Sequence, residues 1–163
     1  MRNEATLAYI GIGSNLGDRA RYCYNAVQQL SLIEHTRVLR ISPLIETAPV
    51  GGPAGSPPFL NGALSVETTL GAHAFWREML AIEHRLGRER REKWEPRTVD
   101  LDLLLFGEKI ISSDDLIVPH PMMHQRRFVL EPLGMVAPDA VHPALQMTIS
   151  GLLDNLKEPS AFV

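Results

Sequence analysis

The chain has 163 residues, an apolar fraction of 45%, a charged fraction of 21% and a formal net charge of −3. These values are ordinary for one globular domain, expected over residues 1–163, and the negative charge excludes a global basic field for nucleic acid. The single cysteine, Cys23, excludes an intramolecular disulfide, and the absence of an apolar run of about 20 residues or of a signal peptide leads us to expect a cytoplasmic protein.

The first predicted elements alternate between strands and helices. Residues 5–12 are short, apolar and end in glycines, which is typical of a buried strand. Asp18 is a suitable cap for a helix over 19–33, which has an apolar stripe of Ala26, Leu30 and Ile33. A second strand is predicted over 35–42. Five prolines and three glycines within residues 43–58 predict a long loop without regular structure, and such a loop inside a compact domain is usually functional.

The second half of the chain repeats this order and adds short elements. After the loop the sequence predicts a strand over 59–69 and a helix over 72–86, whose apolar stripe is Phe75, Met79, Ile82 and Leu86. A charged loop over 87–97, a strand over 98–106, a small hairpin after Gly107 and two short helices near 125–136 and 148–156 follow. The resulting order, β-α-β-β-α-β with additions, predicts an α+β protein with the ferredoxin-like arrangement. Its sheet would be mostly antiparallel, with helices on one face and a small extra hairpin.

Two aspartates alternate with leucines in the last of these strands. Residues i and i+2 of a strand share a face, so Asp100 and Asp102 point the same way and lie about 7 Å apart. Strict alternation then predicts Leu105 on the opposite face and Phe106 on the aspartate face. Ionised carboxylates beside apolar groups are costly unless they are neutralised, and Mg²⁺ is a suitable cation. The alternative is an edge strand that carries two acids on its solvent face.

The charged loop over 87–97 places several arginines directly before the acid strand. Guanidinium groups match phosphate oxygens and keep their charge at neutral pH, and Trp94 offers a flat surface that can cover a nucleotide. Metal-binding acids beside mobile arginines would make a polyphosphate clamp. The alternative is a solvated helix end with scattered salt bridges.

Glycines, aromatic residues and one histidine give weaker signals. The glycines of residues 13–17 are spaced wrongly for a dinucleotide-binding fingerprint, and we interpret them as a tight turn between strand and helix. Phe59 and Phe128 can sandwich a flat heterocycle whose amide edge pairs with Asn61, although core packing is the more common fate of phenylalanine. His120, fixed between two prolines, can donate to a phosphate.

Several segments match one known family in order along the chain. They are YIGIGSNLG over 9–17, ETAPV over 46–50, FLN over 59–61, IE over 82–83, GR over 87–88, the run from Trp94 to Phe106, VPH over 118–120, and Arg126 with Phe128. The run W-x-P-R-T-x-D-L-D over 94–102 is highly specific. Together these segments make the chain similar to the family of 6-hydroxymethyl-7,8-dihydropterin pyrophosphokinases.

The resemblance implies the ferredoxin-like fold, ATP as co-substrate, two Mg²⁺ ions, and transfer of pyrophosphate from ATP to 6-hydroxymethyl-7,8-dihydropterin, with release of AMP, in folate biosynthesis. Asp100 and Asp102 match the metal-binding and catalytic acids, and Arg88 and Arg97 match catalytic arginines. The positions that match the nucleotide site are Glu83, Arg90, Trp94, Leu103, Ile117, His120 and Arg126. The positions that match the pterin site are Thr47, Val50, Phe59, Asn61 and Phe128.

We therefore expect an enzyme whose partners are the pterin substrate and ATP, which acts as a monomer and binds neither nucleic acid nor membranes. The sequence shows no dedicated general base. Two alternatives stay open. One is another nucleotide-dependent phosphoryl transferase with a different acceptor, and the other is a ferredoxin-like RNA-binding module, which the negative net charge and the lack of an aromatic RNA-binding motif disfavour.

Overall fold

The computed structural model describes residues 4–48, 57–87 and 98–156. Its strands and helices are β1 (Thr6–Ser14), α1 (Arg19–Ser31), β2 (Thr36–Ile41), β3 (Ile45–Thr47), β4 (Phe59–Thr68), α2 (Ala72–Arg85), β5 (Asp100–Phe106), β6 (Ile111–Ser112), β7 (Ile117–Val118), α3 (Arg127–Val136), β8 (Val141–His142), β9 (Met147–Thr148) and α4 (Ile149–Asn155). A 3-10 turn over Met123–Gln125 precedes α3. None of the described helices has the length and apolar character needed to cross a membrane.

The main sheet is antiparallel throughout. Its strands lie in the order β2-β4-β1-β5, and the short β3 pairs with the start of β4. The chain is thus a mixed α+β protein with an antiparallel sheet and helices. β6 pairs with β7, which confirms the predicted hairpin, whereas the hairpin of β8 and β9 was not predicted. Because β1 lies between β4 and β5, side chains of three strands can meet on one face.

The long elements agree with the sequence predictions. The Asp18 carboxylate accepts a hydrogen bond at 3.3 Å from the backbone N–H of Arg21, as expected for the cap of α1. Leu30 of α1 and Phe75 and Ile82 of α2 are fully buried in one core with β1, β4 and β5. The apolar stripes predicted for both helices therefore face the sheet, and we call this the first core.

Helices cover both faces of the sheet, which corrects the expectation of helices on one face. A second core joins Leu130 and Leu133 of α3 and Ile149 and Leu152 of α4 to Leu104 of β5. The physical reason lies in β4 and β5, which are buried along most of their length on both faces. A strand that is apolar on both sides needs a cover on both sides.

A β-bulge breaks the alternation of β5. The pairing with β1 shifts by one residue, and Leu104 is left as the extra residue. Leu105 therefore joins Leu104 in the second core, and Phe106 turns into the first core, where its ring centroid lies 6.3 Å from that of Phe75. The alternation predicted for Leu105 and Phe106 was wrong, whereas the two aspartates precede the bulge and keep their i, i+2 relation.

The predicted loop over 43–58 contains one short strand. Ile45–Thr47 pairs antiparallel with Phe59–Asn61, the first residues of β4. The β-branched residues of this strand suit an extended backbone, and the prolines of the segment lie outside it. The expectation of no regular structure was wrong at this point, and residues 49–56 lie outside the described residues.

The hairpin of β8 and β9 holds a buried histidine. His142 is 5% exposed, and its Nδ1 accepts a hydrogen bond at 3.1 Å from the backbone N–H of Leu145. Burial lowers the pKa of His142, and the nearby His124, whose ring centroid lies 6.3 Å away, lowers it further, while a backbone hydrogen bond partly offsets both effects. Protonation at low pH therefore opposes the folded state.

We expect the free energy of unfolding to fall as the pH drops below about 7, because the unfolded chain then binds a proton that folded His142 refuses. The loss ends once the pH lies below the folded pKa. His142→Asn, whose side-chain oxygen replaces Nδ1 as acceptor, should flatten this dependence in urea denaturation between about pH 8 and 5. The control is His35→Asn, at an exposed residue with a φ of 61°, which asparagine also adopts. Parallel curves for wild type and His142→Asn would contradict the assignment.

Candidate active site

A cavity of about 260 Å³ lies on the α3 side of the sheet, where β4, β1 and β5 meet. Its floor is β1, where Gly13 pairs with Asn61 of β4 on one side and with Asp100 of β5 on the other, and Gly11 pairs with Asp102. Because neither glycine carries a side chain, the backbone of β1 itself lines the cavity between the polar residues of the flanking strands. The strand thus continues two residues beyond its predicted end, and Gly13 lies in it rather than in a turn.

Eight of the sequence-predicted site residues line this cavity. They are Thr47 of β3, Phe59 and Asn61 of β4, Asp100 and Asp102 of β5, His120, and Arg126 and Phe128 at the start of α3. The predicted aromatic, amide, acidic and basic groups therefore meet in one place, although they come from segments that are far apart in the sequence.

The two acids lie on a cavity wall. Asp100 is partly buried and Asp102 is exposed, and both line the space above the glycine floor. Across residues 4–48, 57–87 and 98–156, no three acidic, histidine or cysteine side chains form a group that could hold a metal ion. A pair of carboxylates suits Mg²⁺ that takes its other ligands from phosphate oxygens and water, rather than a cage made only of protein ligands.

Glu83 lies behind the acid strand and lines neither this cavity nor the second one described below. It is 3% exposed on α2, and its Oε2 accepts a hydrogen bond at 2.8 Å from the backbone N–H of Leu101. Leu101 stands between the two aspartates. The contact therefore fixes α2 against β5 at the level of the acids.

We expect Glu83→Ala to lower the free energy of unfolding by about 2–3 kcal/mol, because it leaves a buried N–H without this acceptor and opens a cavity. Glu83→Gln keeps an acceptor and should cost less. Urea denaturation measures both, with Glu78→Ala, at an exposed position of the same helix, as the control within about 0.5 kcal/mol. Equal losses for Glu83→Ala and Glu78→Ala would show that the contact does not stabilise the fold.

Asn61 is held in place from two sides. It is 8% exposed, and its Nδ2 donates a hydrogen bond to the hydroxyl of Thr47, which is 1% exposed. Its Oδ1 lies 2.8 Å from the point that a Cβ on Gly13 would occupy, so the amide needs a glycine beneath it. The second N–H and the carbonyl lone pairs of Asn61 are the groups that a ligand with an amide edge can use.

Two aromatic rings accompany this amide. Phe59 at the start of β4 and Phe128 in the first turn of α3 line the cavity with Asn61. The guanidinium carbon of Arg126 lies 5.7 Å from the centroid of the Phe128 ring, a distance typical of a cation–π contact. Aromatic faces beside a fixed amide are suited to a flat heterocycle with its own hydrogen-bonding edge.

His120 is oriented by its backbone surroundings. Its backbone N–H donates to the carbonyl of Leu104 at 3.0 Å, and its Nδ1 accepts from the backbone N–H of Met122 at 3.4 Å. Burial lowers the pKa of His120, Asp102 acts in the opposite direction, and Arg126 lowers it again. The balance of these effects favours the neutral ring, and because Nδ1 accepts a hydrogen bond, the ring proton lies on Nε2, which can donate.

A second cavity, also of about 260 Å³, continues from the first, because Asp102 and His120 line both. Leu103 of β5 and Ile117 of β7, which the sequence assigned to the nucleotide site, line this second cavity. Trp76 of α2 lines it as well and was not predicted, since the sequence analysis followed only the stripe of α2 that faces the core.

Five predicted site residues lie outside the described part of the chain. They are Val50, Arg88, Arg90, Trp94 and Arg97. The chain re-enters the described structure at Thr98, whose carbonyl accepts a hydrogen bond from the hydroxyl of Ser14 at the end of β1. Thr98 therefore lies beside the end of β1.

Two acids on a strand, a histidine donor and an aromatic-lined amide are features of a transferase that acts on a nucleotide and a flat heterocycle. The sequence profile of the 7,8-dihydro-6-hydroxymethylpterin-pyrophosphokinases matches residues 9–138, and the chain belongs to this family of ATP-dependent pyrophosphokinases. This match confirms the resemblance found in the sequence.

Individual relatives agree with the family. The 2-amino-4-hydroxy-6-hydroxymethyldihydropteridine pyrophosphokinase of Bacillus subtilis is 43% identical over 130 residues, which cover 80% of this chain and 77% of the relative. The enzyme of the same name from Synechocystis is 36% identical over 149 residues, which cover 91% of this chain and 75% of the relative.

Longer proteins contain a matching part. The folic acid synthesis protein fol1 of Pneumocystis carinii is 38% identical over 154 residues, which are 94% of this chain but only 20% of that protein. The crystal structure of wild-type Plasmodium falciparum HPPK-DHPS with pteroate superposes with a TM-score of 0.73 at 15% identity, over 94% of this chain and 43% of that chain. At that identity the structural likeness concerns the fold alone.

Proposed function

We propose that the two cavities hold the two substrates of the family's reaction, the transfer of pyrophosphate from ATP to 6-hydroxymethyl-7,8-dihydropterin in folate synthesis, with release of AMP. The observation that carries this proposal is that Asp102 and His120 line both cavities. A nucleotide in the second cavity would therefore present its phosphates, at these two residues, to a heterocycle in the first.

In this proposal the first cavity binds the pterin. Phe59 and Phe128 stack on its ring, and Asn61 pairs with its amide edge. Thr47 orients Asn61, and Val50 adds a backbone contact that the family resemblance implies. The fixed amide and the two rings around it support this assignment.

The second cavity binds the nucleoside part of ATP in the same proposal. Leu103 and Ile117 receive the base, and His120 and Arg126 bind the phosphates. The remaining predicted positions, Glu83, Arg90 and Trp94, belong to the nucleotide site by resemblance, with Glu83 acting through its hydrogen bond to β5. The geometry of His120 supports this assignment, because its Nδ1 already accepts a hydrogen bond and its Nε2–H remains as a donor of the kind that phosphate oxygens accept.

Asp100 and Asp102 would hold two Mg²⁺ ions, which neutralise phosphate oxygens when bound. The fit rests on the donor set: two carboxylates on one face of β5, open to the cavity, with phosphate and water oxygens to complete the coordination. The charge that develops on the leaving group would be stabilised by Arg88 and Arg97.

The proposed chemical step is an in-line displacement. The hydroxymethyl oxygen of the pterin attacks the β-phosphorus of ATP, the bond from that phosphorus to the α,β-bridging oxygen breaks, and AMP leaves with the bonding electrons. The hydroxyl proton passes to water. Most of the acceleration would come from positioning and electrostatics, because phosphoryl transfer needs little covalent chemistry from the protein.

The finer architecture belongs to the same proposal. Without β3, the order along the chain is β1-α1-β2-β4-α2-β5, and the sheet order β2-β4-β1-β5 with antiparallel neighbours supports a ferredoxin-like βαββαβ domain over residues 1–163. We also propose a cytoplasmic monomer without nucleic-acid or membrane partners, which sedimentation of the purified chain and fractionation of cells would test.

Turnover with ATP, Mg²⁺ and the pterin alcohol, followed by product identification, tests the function. We expect AMP and the pterin pyrophosphate in equal amounts. A dihydropterin with a methyl group in place of the hydroxymethyl group is the matched control, since it should compete for binding but yield no AMP. Formation of ADP, or of AMP without the pterin alcohol, would contradict the proposal.

A further inference from the structure

Trp76 is an aromatic residue of the second cavity to which neither the sequence nor the family resemblance gave a role. It lies on α2, is partly buried, and packs against the first core while one part of its side chain lines the cavity. A partly exposed indole in a cavity wall can meet a ligand with the part of its ring that is not packed against the core.

Side-chain contacts join α2 to the turn between β6 and β7 beside this cavity. His73, one turn earlier on α2, has its Nε2 3.1 Å from the Ser113 hydroxyl and 3.3 Å from the Asp115 carboxylate. Ser113 in turn accepts from the backbone N–H of Leu116 through its hydroxyl, at 3.2 Å. The turn between β6 and β7 is thereby held against α2, and Ile117 at the start of β7 faces the same cavity as Trp76.

Apolar and polar groups share the lining of this cavity. Aromatic and aliphatic surface comes from Trp76, Leu103, Ile117 and Pro121, and carboxylates come from Asp114 and Asp115 in the turn between β6 and β7. Asp102 and His120 stand at the junction of the two cavities. A flat ring with hydrogen-bond donors on its edge, joined to a charged end that lies at the junction, matches this lining. The nucleoside triphosphate of the proposed function has that shape, with its base away from the reacting phosphates.

We propose that Trp76 contacts the purine base of ATP and favours purine over pyrimidine nucleotides. The inference rests on the proposed function, because that function puts the nucleotide in the second cavity. Stacking on an aromatic side chain strengthens binding by about tenfold or more per base, and a purine offers more ring area than a pyrimidine. In this proposal Trp76 sets the affinity for the nucleoside part of ATP. The phosphates lie at Asp102 and His120.

The test compares a ligand that has a base with one that has none. Isothermal titration calorimetry, with Mg²⁺ present, measures the binding of α,β-methylene-ATP and of inorganic tripolyphosphate to wild type, Trp76→Leu and Trp76→Phe. We expect Trp76→Leu to weaken binding of the nucleotide analogue about tenfold and to leave tripolyphosphate within about twofold. Trp76→Phe should fall between wild type and Trp76→Leu. Tyr24→Leu, at a residue of α1 that is 61% exposed, is the aromatic control.

Kinetics give a second measurement. Trp76→Leu should raise KM for ATP, leave KM for the pterin unchanged, and reduce the preference for ATP over CTP.

Equal losses for the two calorimetric ligands, or no loss for either, would overturn the inference, and Trp76→Phe supplies the comparison where Trp76→Leu does not fold. If wild type binds the analogue but forms no pterin pyrophosphate, the proposed function fails and the calorimetry still decides on Trp76. If wild type turns over and Trp76→Leu keeps its affinity, the inference on Trp76 fails alone.

Discussion

Replacing Asp102 with asparagine is expected to lower turnover about 1,000-fold while the protein stays folded. The carboxylate is proposed to hold a metal ion against the phosphates, and asparagine keeps the shape of the side chain without its charge. Asp102 is exposed in the described structure, and substitutions at exposed positions usually change the free energy of unfolding by less than about 0.5 kcal/mol. The loss of activity should therefore appear without a change in thermal stability.

Two measurements separate this role from a general effect on the site. Residual turnover of Asp102→Asn should require a higher Mg²⁺ concentration than wild type. Because Asp102 raises the pKa of His120, the variant should also titrate His120 at a lower pH, which proton NMR of the imidazole detects. Asp139→Asn, at an exposed acid that lines neither cavity, is the control. Near-normal turnover in Asp102→Asn would refute the metal role.

The parts of the site that follow from local geometry were predictable from the residues. Asp100 and Asp102 share a face because alternation along a strand needs no knowledge of the rest of the chain. Their meeting with Asn61 depends on β1 lying between β4 and β5, which is a matter of long-range pairing. Periodicity cannot supply that order, and only the family resemblance brought these residues together at the level of the sequence.

Other features depend on contacts that a single strand or helix does not encode. The bulge at Leu104 arises from the pairing of β5 with β1, so strict alternation failed there. The glycine floor appears only when Gly11 and Gly13 are seen between polar residues of two other strands. Helices on both faces follow from the two-sided burial of β4, which a strand prediction over 59–69 does not reveal.

The position of Trp76 relative to Glu83 is a sequence signal for the second cavity that the sequence analysis did not use. Trp76 precedes Glu83 by seven residues, which is close to two turns of α-helix and puts both on one side of α2. That side is adjacent to the core stripe of Phe75 and Ile82, which drew attention because its apolar pattern is stronger. A cavity-lining residue at the border of an apolar stripe is hidden by the pattern that identifies the helix.

Replacing Asn61 with alanine is expected to raise KM for the pterin by about 10-fold to 100-fold and to leave the affinity for the nucleotide unchanged. A site built to pair with an amide edge loses both a hydrogen bond and the orientation that the bond imposes. Asn61 is suited to this role because its amide is fixed before the substrate arrives, by the Thr47 hydroxyl and by the bare backbone of Gly13.

Thr47→Val separates orientation from direct contact. It removes the hydroxyl that accepts from Asn61 but leaves the amide in place, so KM for the pterin should rise less than in Asn61→Ala. Asn61→Ala also leaves the buried Thr47 hydroxyl without this donor, which should cost about 1–3 kcal/mol of unfolding free energy, and the double variant should recover part of that loss. Steady-state kinetics and urea denaturation of the three variants measure both effects. Equal rises in KM for the pterin and for ATP would mean that Asn61 supports the sheet rather than the heterocycle, since an amide that binds only one substrate cannot weaken both alike.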